Sequence, residues 1–317
     1  MKISNRTLGA DLLLLLTAVI WGFSFVTQRQ GMRSMGPFAF GGARYALGTL
    51  SLVPFLVLHR RRAPGTRPAG AAGWGAGRKA AAAALAGAVL FVASSLLQFG
   101  LKRTTAAHGG FITSLYVVLV PLIGACFGRP AGIRIWLGAA LGCAGLAALS
   151  LGAGLAVNPG DLLVLAGAGF WASHILLINR LVERMAALEI ALGQCAACAV
   201  FSLAAALGCE PAPFAGLGAA AIQVLYGGLL SIGLAYTLQI VAQKAAHPAH
   251  AAIIMSMEAL FASIGGVLFL HEPVTLRLAV GGALMLLGMI VSQAGTRHPS
   301  EDHDGVASSI IEAAVLE

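Results

Sequence analysis

Charged side chains are scarce in this 317-residue chain. Asp, Glu, Lys and Arg together make up 10% of the residues, whereas hydrophobic residues make up 58%, and the mean hydropathy is +0.87. A soluble domain of this length needs a largely polar surface, and this composition does not supply one. The shortage of charge therefore excludes the ordinary soluble classes and predicts a protein whose surface faces lipid.

The chain also lacks the motifs of common hydrolases and nucleotide-driven machines. It contains no GxSxG, no HExxH, and no glycine-rich loop with the lysine that cradles phosphate. The five cysteines include a CAAC at 195–198, but an apolar helix disfavours the thiolates that redox or metal chemistry needs. We therefore expect no enzyme activity, no cofactor and no metal, and we interpret the cysteines as packing residues.

What the chain does have is a succession of apolar runs near 20 residues long. This is the length that an α-helix needs to cross a hydrocarbon core. Open strands would leave backbone groups unpaired in lipid, so we predict an all-α membrane protein with ten transmembrane helices. The predicted spans are 9–28, 36–58, 80–101, 105–127, 133–152, 159–180, 187–208, 218–242, 248–269 and 275–295.

The distribution of Lys and Arg predicts the orientation in the membrane. Most of them, including the RRR at 60–62, fall in segments that are cytoplasmic if the N-terminus is inside. Ten spans then place both termini in the cytoplasm. The net charge of +8 is accounted for by this topology and by contact with anionic headgroups, so we expect no nucleic-acid partner.

The two halves of the chain repeat each other. DLLLLLTAVIWGFSFV at 11–26 matches DLLVLAGAGFWASHIL at 161–176, and HGGFITSLYVVLVPLIG at 108–124 matches HAAIIMSMEALFASIGG at 250–266. Each copy holds five predicted helices, and an odd number makes the second copy enter the membrane from the opposite face. We predict two inverted five-helix repeats, 1–152 and 153–295, followed by a polar cytoplasmic tail at 296–317, an arrangement typical of secondary transporters.

Over about residues 9–295 the chain resembles the bacterial drug/metabolite transporter superfamily of the EamA type. The resemblance is carried by AVIWGFSFV in the first helix, by the small-residue-rich fourth helix, and by MSMEALFASIGGVLFLHEPVTLRLAVGGALMLLGMIV at 255–291. Glu258 and Glu272 fall on the two acids that recur in that block, and Ala259 stands where the family often has proline. The resemblance implies ten helices in two repeats, a bacterial inner-membrane location and movement of small metabolites without nucleotide hydrolysis.

Two formally charged residues, Glu258 and Arg44, lie deep within predicted spans and near the membrane midplane. A charge at that depth needs a partner or water, and their depths are compatible with an ion pair. Glu258 is either a coupling or substrate-amine site that changes protonation, or a structural carboxylate. Arg44 is either an anchor for a substrate carboxylate, or a packing counter-ion or snorkelling side chain.

Aromatic and amide side chains supply the remaining candidates. Trp21 and Trp171 are repeat equivalents near mid-span, and they form either an aromatic wall for a substrate or packing contacts. Tyr116 takes the repeat position of Glu258. We interpret His108 and His250 as interfacial residues or proton relays, and give His174 less weight. Further polar candidates are Tyr45, Gln98, Gln194, Tyr236 and Gln239.

Together these features predict a secondary active transporter that moves a small organic solute across the inner membrane by alternating access. We expect export of an amino acid or an amphipathic metabolite, and we leave proton coupling open. The alternative is a ligand sensor or scaffold that uses the same fold without transport. One chain holds both repeats, so a monomer suffices and a dimer is allowed.

Overall fold

A computed structural model describes residues 5–62, 74–126, 132–150, 158–245 and 254–293. Within these ranges the chain is helical apart from short turns and loops, and no strand occurs among them. This confirms the predicted all-α class. His250, the basic segment at 63–73 and the tail at 296–317 lie outside the described residues.

Twelve α-helices and one π-helical segment make up the described chain. They are α1 (Asn5–Gly31), α2 (Pro37–Arg62), α3 (Ala76–Leu101), α4 (Ala106–Ser114), α5 (Tyr116–Cys126), α6 (Ile133–Ser150), α7 (Pro159–Leu181), α8 (Ala187–Cys209), α9 (Ala221–Leu225), the π segment (Tyr226–Ala235), α10 (Tyr236–Ala245), α11 (Glu258–Leu270) and α12 (Leu276–Gln293).

Apolar helical stretches coincide with every predicted span. Seven are long and apolar enough to cross a membrane, and three more are shorter. The seven are Gly9–Gly31, Pro37–Val57, Ala76–Leu101, Ala106–Cys126, Pro159–Leu181, Leu188–Cys209 and Ala221–Ala242; the three are Ile133–Ala148, Ile254–Leu270 and Leu276–Val291. The protein is therefore a multi-pass membrane protein, while the count of ten crossings stays a prediction because three helices are short.

Three predicted spans are not regular helices. The span at 105–127 breaks at Leu115 into α4 and α5, and the matching helix of the second half breaks at Met257, immediately before α11. These breaks fall at the same repeat position, so the second break forms although Ala259 replaces the family's proline. The span at 218–242 contains the glycine-rich π segment. π-helical turns are rare and often lie at functional sites.

The helices approach one another most closely through small residues. A Cβ on Gly22 of α1 would lie 2.8 Å from the carbonyl oxygen of Glu258, and one on Gly288 of α12 would lie 2.7 Å from the Gly138 carbonyl of α6. Close backbone approach of this kind is how helices associate in lipid, where apolar side chains gain little by leaving the solvent. The α1–α11 contact fixes the position of Glu258.

Two carboxylates, the buried Glu272 and the half-buried Glu210, fasten one end of the bundle. Glu272, after α11, accepts hydrogen bonds from the backbone N–H groups of Ala106 (2.7 Å) and Ala107 (3.2 Å) at the start of α4, and it pairs with Arg29. Glu210, after α8, accepts from the first N–H groups of α2. A carboxylate at a helix N-terminus satisfies free donors and complements the helix dipole.

Candidate binding site

Helices from both halves enclose one polar cavity. Its volume is about 60 Å³, which is room for a few water molecules or for the polar part of a small solute. Its lining side chains are Trp21, Ser24, Phe25, Gln28, Arg44, Tyr45, Leu97, Thr113, Tyr116, Trp171, His174, Ile175, Ser231, Ile232, Tyr236, Gln239 and Glu258.

The structure brings most of the predicted site residues together in this cavity. The candidates that line it are Glu258, Arg44, Trp21, Trp171, Tyr116, Tyr45, Tyr236 and Gln239. Gln98 and Gln194 are buried but stand behind the lining. His108 instead lies at the fastened end, where its Nδ1 is 3.3 Å from Asp161 Oδ2 and Asp161 accepts a hydrogen bond from Thr104.

Several lining residues were missed by the sequence analysis, and His174 was given too little weight. Ser24 and Gln28 follow Trp21 at intervals of three and four residues, which places all three on one face of α1. That spacing of polar residues inside an apolar span was the available signal. Ser231 gives no such signal, because it is the isolated polar residue of its turn. Thr113 lies beside Ser114 and close to Tyr116, so this polar stretch inside an apolar span was a further available signal.

Glu258 begins α11 directly after the break at Met257. Its side chain is 3% exposed, and the hydroxyls of Ser114 and Tyr116 lie beside its carboxylate. In spite of these neighbours, Oε1 of Glu258 and the Tyr116 hydroxyl have no partner in hydrogen-bonding geometry. The carboxylate is therefore enclosed by polar groups without being fully satisfied by them.

Arg44 reaches the cavity from α2 between two aromatic rings. Its guanidinium carbon lies 5.7 Å from the Phe40 ring centre and 5.2 Å from that of Tyr45, within cation–π range. When the Gln98 amide is turned to the orientation that satisfies both of its groups, its nitrogen donates to the Pro37 carbonyl at 2.7 Å and its oxygen accepts from Arg44 Nη2 at 3.3 Å. No ion pair joins the two described residues Arg44 and Glu258, so each faces the cavity separately.

Three aromatic rings form one wall. The Tyr236 ring lies between the two tryptophans. Its centre is 5.0 Å from that of Trp21, with 61° between the ring planes, and 6.3 Å from that of Trp171, with 22° between the planes. Trp21 Nε1 donates to the Ser231 carbonyl of the π segment at 3.0 Å. Trp171 Nε1 is buried without a partner. The repeat-equivalent tryptophans thus face one cavity from opposite halves.

Smaller polar groups complete the lining. Ser24 donates to the Ser231 hydroxyl at 3.2 Å, and the Gln28 amide donates to Ser24 at 3.3 Å. His174 Nε2 lies 2.8 Å from Gln194 Oε1, so this nitrogen carries the hydrogen and donates. These bonds tie α1 to the π segment and α7 to α8 around the cavity.

Unpartnered polar atoms are concentrated at this cavity. Native proteins pair nearly all of their buried polar atoms, so a cluster of exceptions calls for an explanation. Here the unpartnered atoms gather around a space large enough for water or for the polar part of a solute. The unpartnered atoms on lining residues are Gln28 Oε1, Arg44 Nε, Thr113 Oγ1, Tyr116 Oη, Trp171 Nε1 and Glu258 Oε1.

The cysteines do not line the cavity, although Cys195 and Cys198 pack against its residues Tyr45, Ile232 and Tyr236. All five are free thiols: Cys195 and Cys198 are buried, and the other three are exposed on the helix surface. Within the described residues, no group of three His, Cys, Asp or Glu side chains could hold a metal ion.

A multi-pass helical protein with a polar cavity between its two halves has the architecture of a membrane transporter. Comparison with known families agrees, because the EamA-like transporter family matches the chain twice, over residues 8–151 and 158–293. The chain belongs to the EamA-like transporter family, and so to the drug/metabolite transporter superfamily that the sequence resembled. The family's name describes transport of molecules across membranes, and it names no catalytic activity.

Individual relatives are also named as transporters. An uncharacterized transporter of Archaeoglobus fulgidus is 30% identical over 297 residues, which cover 90% of this chain and 86% of that protein. The uncharacterized inner membrane transporter YedA of Escherichia coli K12 is 27% identical over 223 residues, 68% of this chain and 69% of that protein. A solved crystal structure has the same fold, with a TM-score of 0.64, 19% identity, and coverage of 90% of this chain and 96% of that one.

Proposed function

We propose that this protein is a secondary active transporter that exports a small zwitterionic or amphipathic metabolite, such as an amino acid, by alternating access. One observation carries the proposal. The cavity lined by both halves holds an acid, Glu258, and a cation, Arg44, that do not pair with each other and lie among unpartnered polar atoms. A buried charge without a partner is costly, and a solute with the opposite charges would offset that cost.

The aromatic wall indicates how such a solute would lie. An ammonium group beside Glu258 would be close to the faces of Tyr116 and the tryptophans, where cations are attracted to ring quadrupoles. A carboxylate at the other end would meet the Arg44 guanidinium, which Gln98 already orients. An apolar substituent would lie on Trp21, Tyr236 or Trp171.

The packing of the helices supports ten crossings in two inverted repeats. α1 packs on α11 as α7 packs on α4 and α5, and α2 packs on the π segment as α8 packs on α3. The α2–α8 and α6–α12 contacts map onto themselves under the same exchange. At the centre, Ser114 donates to the carbonyl of its repeat equivalent Ser256 at 3.4 Å. Pseudo-twofold packing of this kind is what an inverted repeat produces.

The remaining features of the proposal follow from the sequence and the relatives. We place the repeats at 1–152 and 153–295, both termini in the cytoplasm, and the protein in the bacterial inner membrane, the location that the name of YedA gives for that relative. The basic inner segments support this orientation. Both repeats are in one chain, so a monomer contains the whole site.

Proton coupling through Glu258 is the mechanism that the site supports best. Its carboxylate lies beside Ser114 and Tyr116 hydroxyls that can donate to it when it is ionised. Protonation would remove the negative charge that holds a substrate ammonium, so proton and substrate would compete for one group. A sensor or scaffold on the same fold would bind ligand at the cavity without moving it.

A thermal-shift screen tests the proposal. The purified protein would be screened against amino acids, amines and nucleobases at two pH values, together with Glu258→Gln and the exposed-loop control Glu183→Gln. We expect a zwitterion to stabilise the wild type and Glu183→Gln in a pH-dependent way, and Glu258→Gln to lose that dependence. Equal ligand binding by all three proteins would make Glu258 structural, and binding without flux in vesicles would identify the sensor.

A further inference from the structure

The two halves contribute unequally to the cavity through their third helices. The π segment and α10 provide four lining residues, Ser231, Ile232, Tyr236 and Gln239, whereas α3 provides Leu97. The first helices contribute more evenly, since α1 provides Trp21 and its neighbours and α7 provides Trp171 and its neighbours. The second helices differ in the opposite sense, because α2 provides Arg44 and Tyr45 and α8 provides no lining residue. The asymmetry therefore belongs to two pairs of repeat-equivalent helices and is largest in the third.

Sequence and contacts together define which residues of these helices correspond. LLQFGLK at 96–102 aligns with TLQIVAQ at 237–243, which places Gln98 on Gln239. The same spacing places Gly87 on Gly228. A Cβ on Gly87 would meet Ala197 of α8 at 2.5 Å, and one on Gly228 would meet Leu47 of α2 at 2.7 Å. Leu47 and Ala197 are equivalents in turn, because α2 and α8 are related by the same 150-residue spacing as Trp21 and Trp171.

The equivalent segments have different backbone conformations. Residues 226–235 are π-helical, while residues 85–94 belong to the regular α-helix α3. A π turn holds more residues than an α turn, so interconversion rotates all later side chains, by roughly 100° for each residue of register. The π form is what directs Tyr236 and Gln239 into the cavity in this state.

The two glutamines also differ in their partners. Gln98 is turned away from the cavity and binds the Arg44 guanidinium. The repeat equivalent of Arg44 is Gln194, whose Nε2 is buried without a partner. Gln239 lines the cavity and does not hydrogen-bond Gln194 Nε2. The second half thus contains an unused donor, Gln194 Nε2, that Gln239 could accept from as Gln98 accepts from Arg44.

We propose that the halves exchange these arrangements when the transporter changes its facing, an inference that rests on the proposed function. In the opposite state residues 85–94 adopt the π form, and Leu90, Phe91, Ser95 and Gln98 replace Ser231, Ile232, Tyr236 and Gln239 as lining residues. Residues 226–235 become α-helical, and Gln239 binds Gln194. The binding site therefore has a second wall, on α3, that this state does not display.

Cysteine labelling tests the second wall. The five native cysteines would be replaced by alanine, and Ser95→Cys, Tyr236→Cys or the lipid-facing control Leu207→Cys introduced into the full chain in nanodiscs. A second set would also carry Arg29→Cys and Glu272→Cys, one in each half, joined before labelling by a bifunctional reagent too large to enter the cavity, which holds the fastened end closed and leaves positions 95 and 236 free. Folding is checked by size exclusion for every variant.

A small water-soluble thiol reagent gives the readout. In the unlocked protein we expect position 95 to react well above the Leu207→Cys control. Locking should slow its reaction on the order of tenfold, while position 236 stays reactive. Position 95 reacting equally in both forms, or no faster than the control, overturns the proposal.

Hydrogen exchange supplies a second measurement that needs no cysteine in either segment. Locking should slow amide exchange in residues 85–94 and speed it in residues 226–235, because the weaker π form is then confined to the second half. Changes of the same sign, or none, contradict the exchange. Neither readout needs a substrate, so the two proposals can fail separately. Equal labelling in a protein that transports solute rejects only the second wall, whereas absent flux rejects the transport proposal.

Discussion

At the residue scale, the two acids that recur in the family block have different surroundings. Glu272 receives two backbone N–H groups and an arginine, whereas Glu258 faces a cavity with one oxygen unpartnered. The sequence placed both on the same motif and could predict the depth of Glu258, because depth follows from position along a span. It could not separate their roles, since the partners of Glu272 come from α1 and α4.

This contrast predicts opposite effects of neutralising each acid. Glu272→Gln removes the charge that Arg29 and the α4 N-terminus share, and we expect it to lower the free energy of unfolding by about 3 kcal/mol, as breaking a buried pair does. Glu258→Gln should leave thermal stability unchanged or raised, because it removes an unsatisfied buried charge. Melting temperatures of both variants without ligand check this, and a large loss in Glu258→Gln would mean that its carboxylate is structural.

The tryptophans give a second comparison at this scale. Trp21 Nε1 is bound to the Ser231 carbonyl, while Trp171 Nε1 has no partner. We expect Trp21→Phe to cost about 1 kcal/mol of stability, the worth of one hydrogen bond. Trp171→Phe should leave stability unchanged and weaken ligand binding instead. Thermal melts with and without the ligand that the screen identifies separate the two, and equal melting of both variants would contradict this division.

Arg44 is the residue that should select for a carboxylate. We expect Arg44→Gln to weaken binding of the zwitterionic ligand about tenfold or more, through loss of a charge-assisted contact. Binding of the matching amine, which has no carboxylate, should be unaffected. Calorimetric titration of both ligands into wild type and variant measures this, and an equal loss for the two ligands would assign Arg44 to packing.

At the element scale, the irregular helices could not be predicted from hydropathy. The ten apolar runs located the helices, because length and composition alone decide which segments can lie in lipid. The break at Leu115 was not predicted from Pro121, which lies well inside α5, and the π segment gave no signal beyond its glycines. Both depend on packing between helices, as the contacts of Gly228 with Leu47 illustrate.

The π segment should therefore differ from a regular helix in its response to a deletion. Deleting Leu229, which is 41% exposed on the outer surface, removes the extra residue that a π turn accommodates and favours a continuous α-helix. We expect the deletion to fold and to retain ligand binding, because the loss of one residue offsets the roughly 100° by which a π-to-α change rotates Tyr236 and Gln239. Deleting Leu85 of the regular helix α3, which is 56% exposed, is the contrast, because nothing there offsets the rotation of Leu97 and Gln98. Lost ligand affinity in the Leu229 deletion would show that the π segment does not hold an extra residue.

At the scale of the whole molecule, the repeat was the most informative feature of the sequence. It predicted that Trp21 and Trp171 face one cavity, and it placed Tyr116 at the repeat position of Glu258. In the structure all four line the same space. The repeat did not predict the asymmetry between α3 and α10. A pair of repeats has the same average structure in both halves, whereas a single conformational state does not.

The transport proposal depends most on a solute crossing the cavity in a way that requires Glu258. The direct measurement is flux of the ligand found by the screen into and out of proteoliposomes, across a range of pH, for wild type, Glu258→Gln and Glu183→Gln. We expect pH-dependent flux in the wild type and in Glu183→Gln, and flux that is lost or independent of pH in Glu258→Gln. Unchanged, still pH-dependent flux in Glu258→Gln would contradict the proposal.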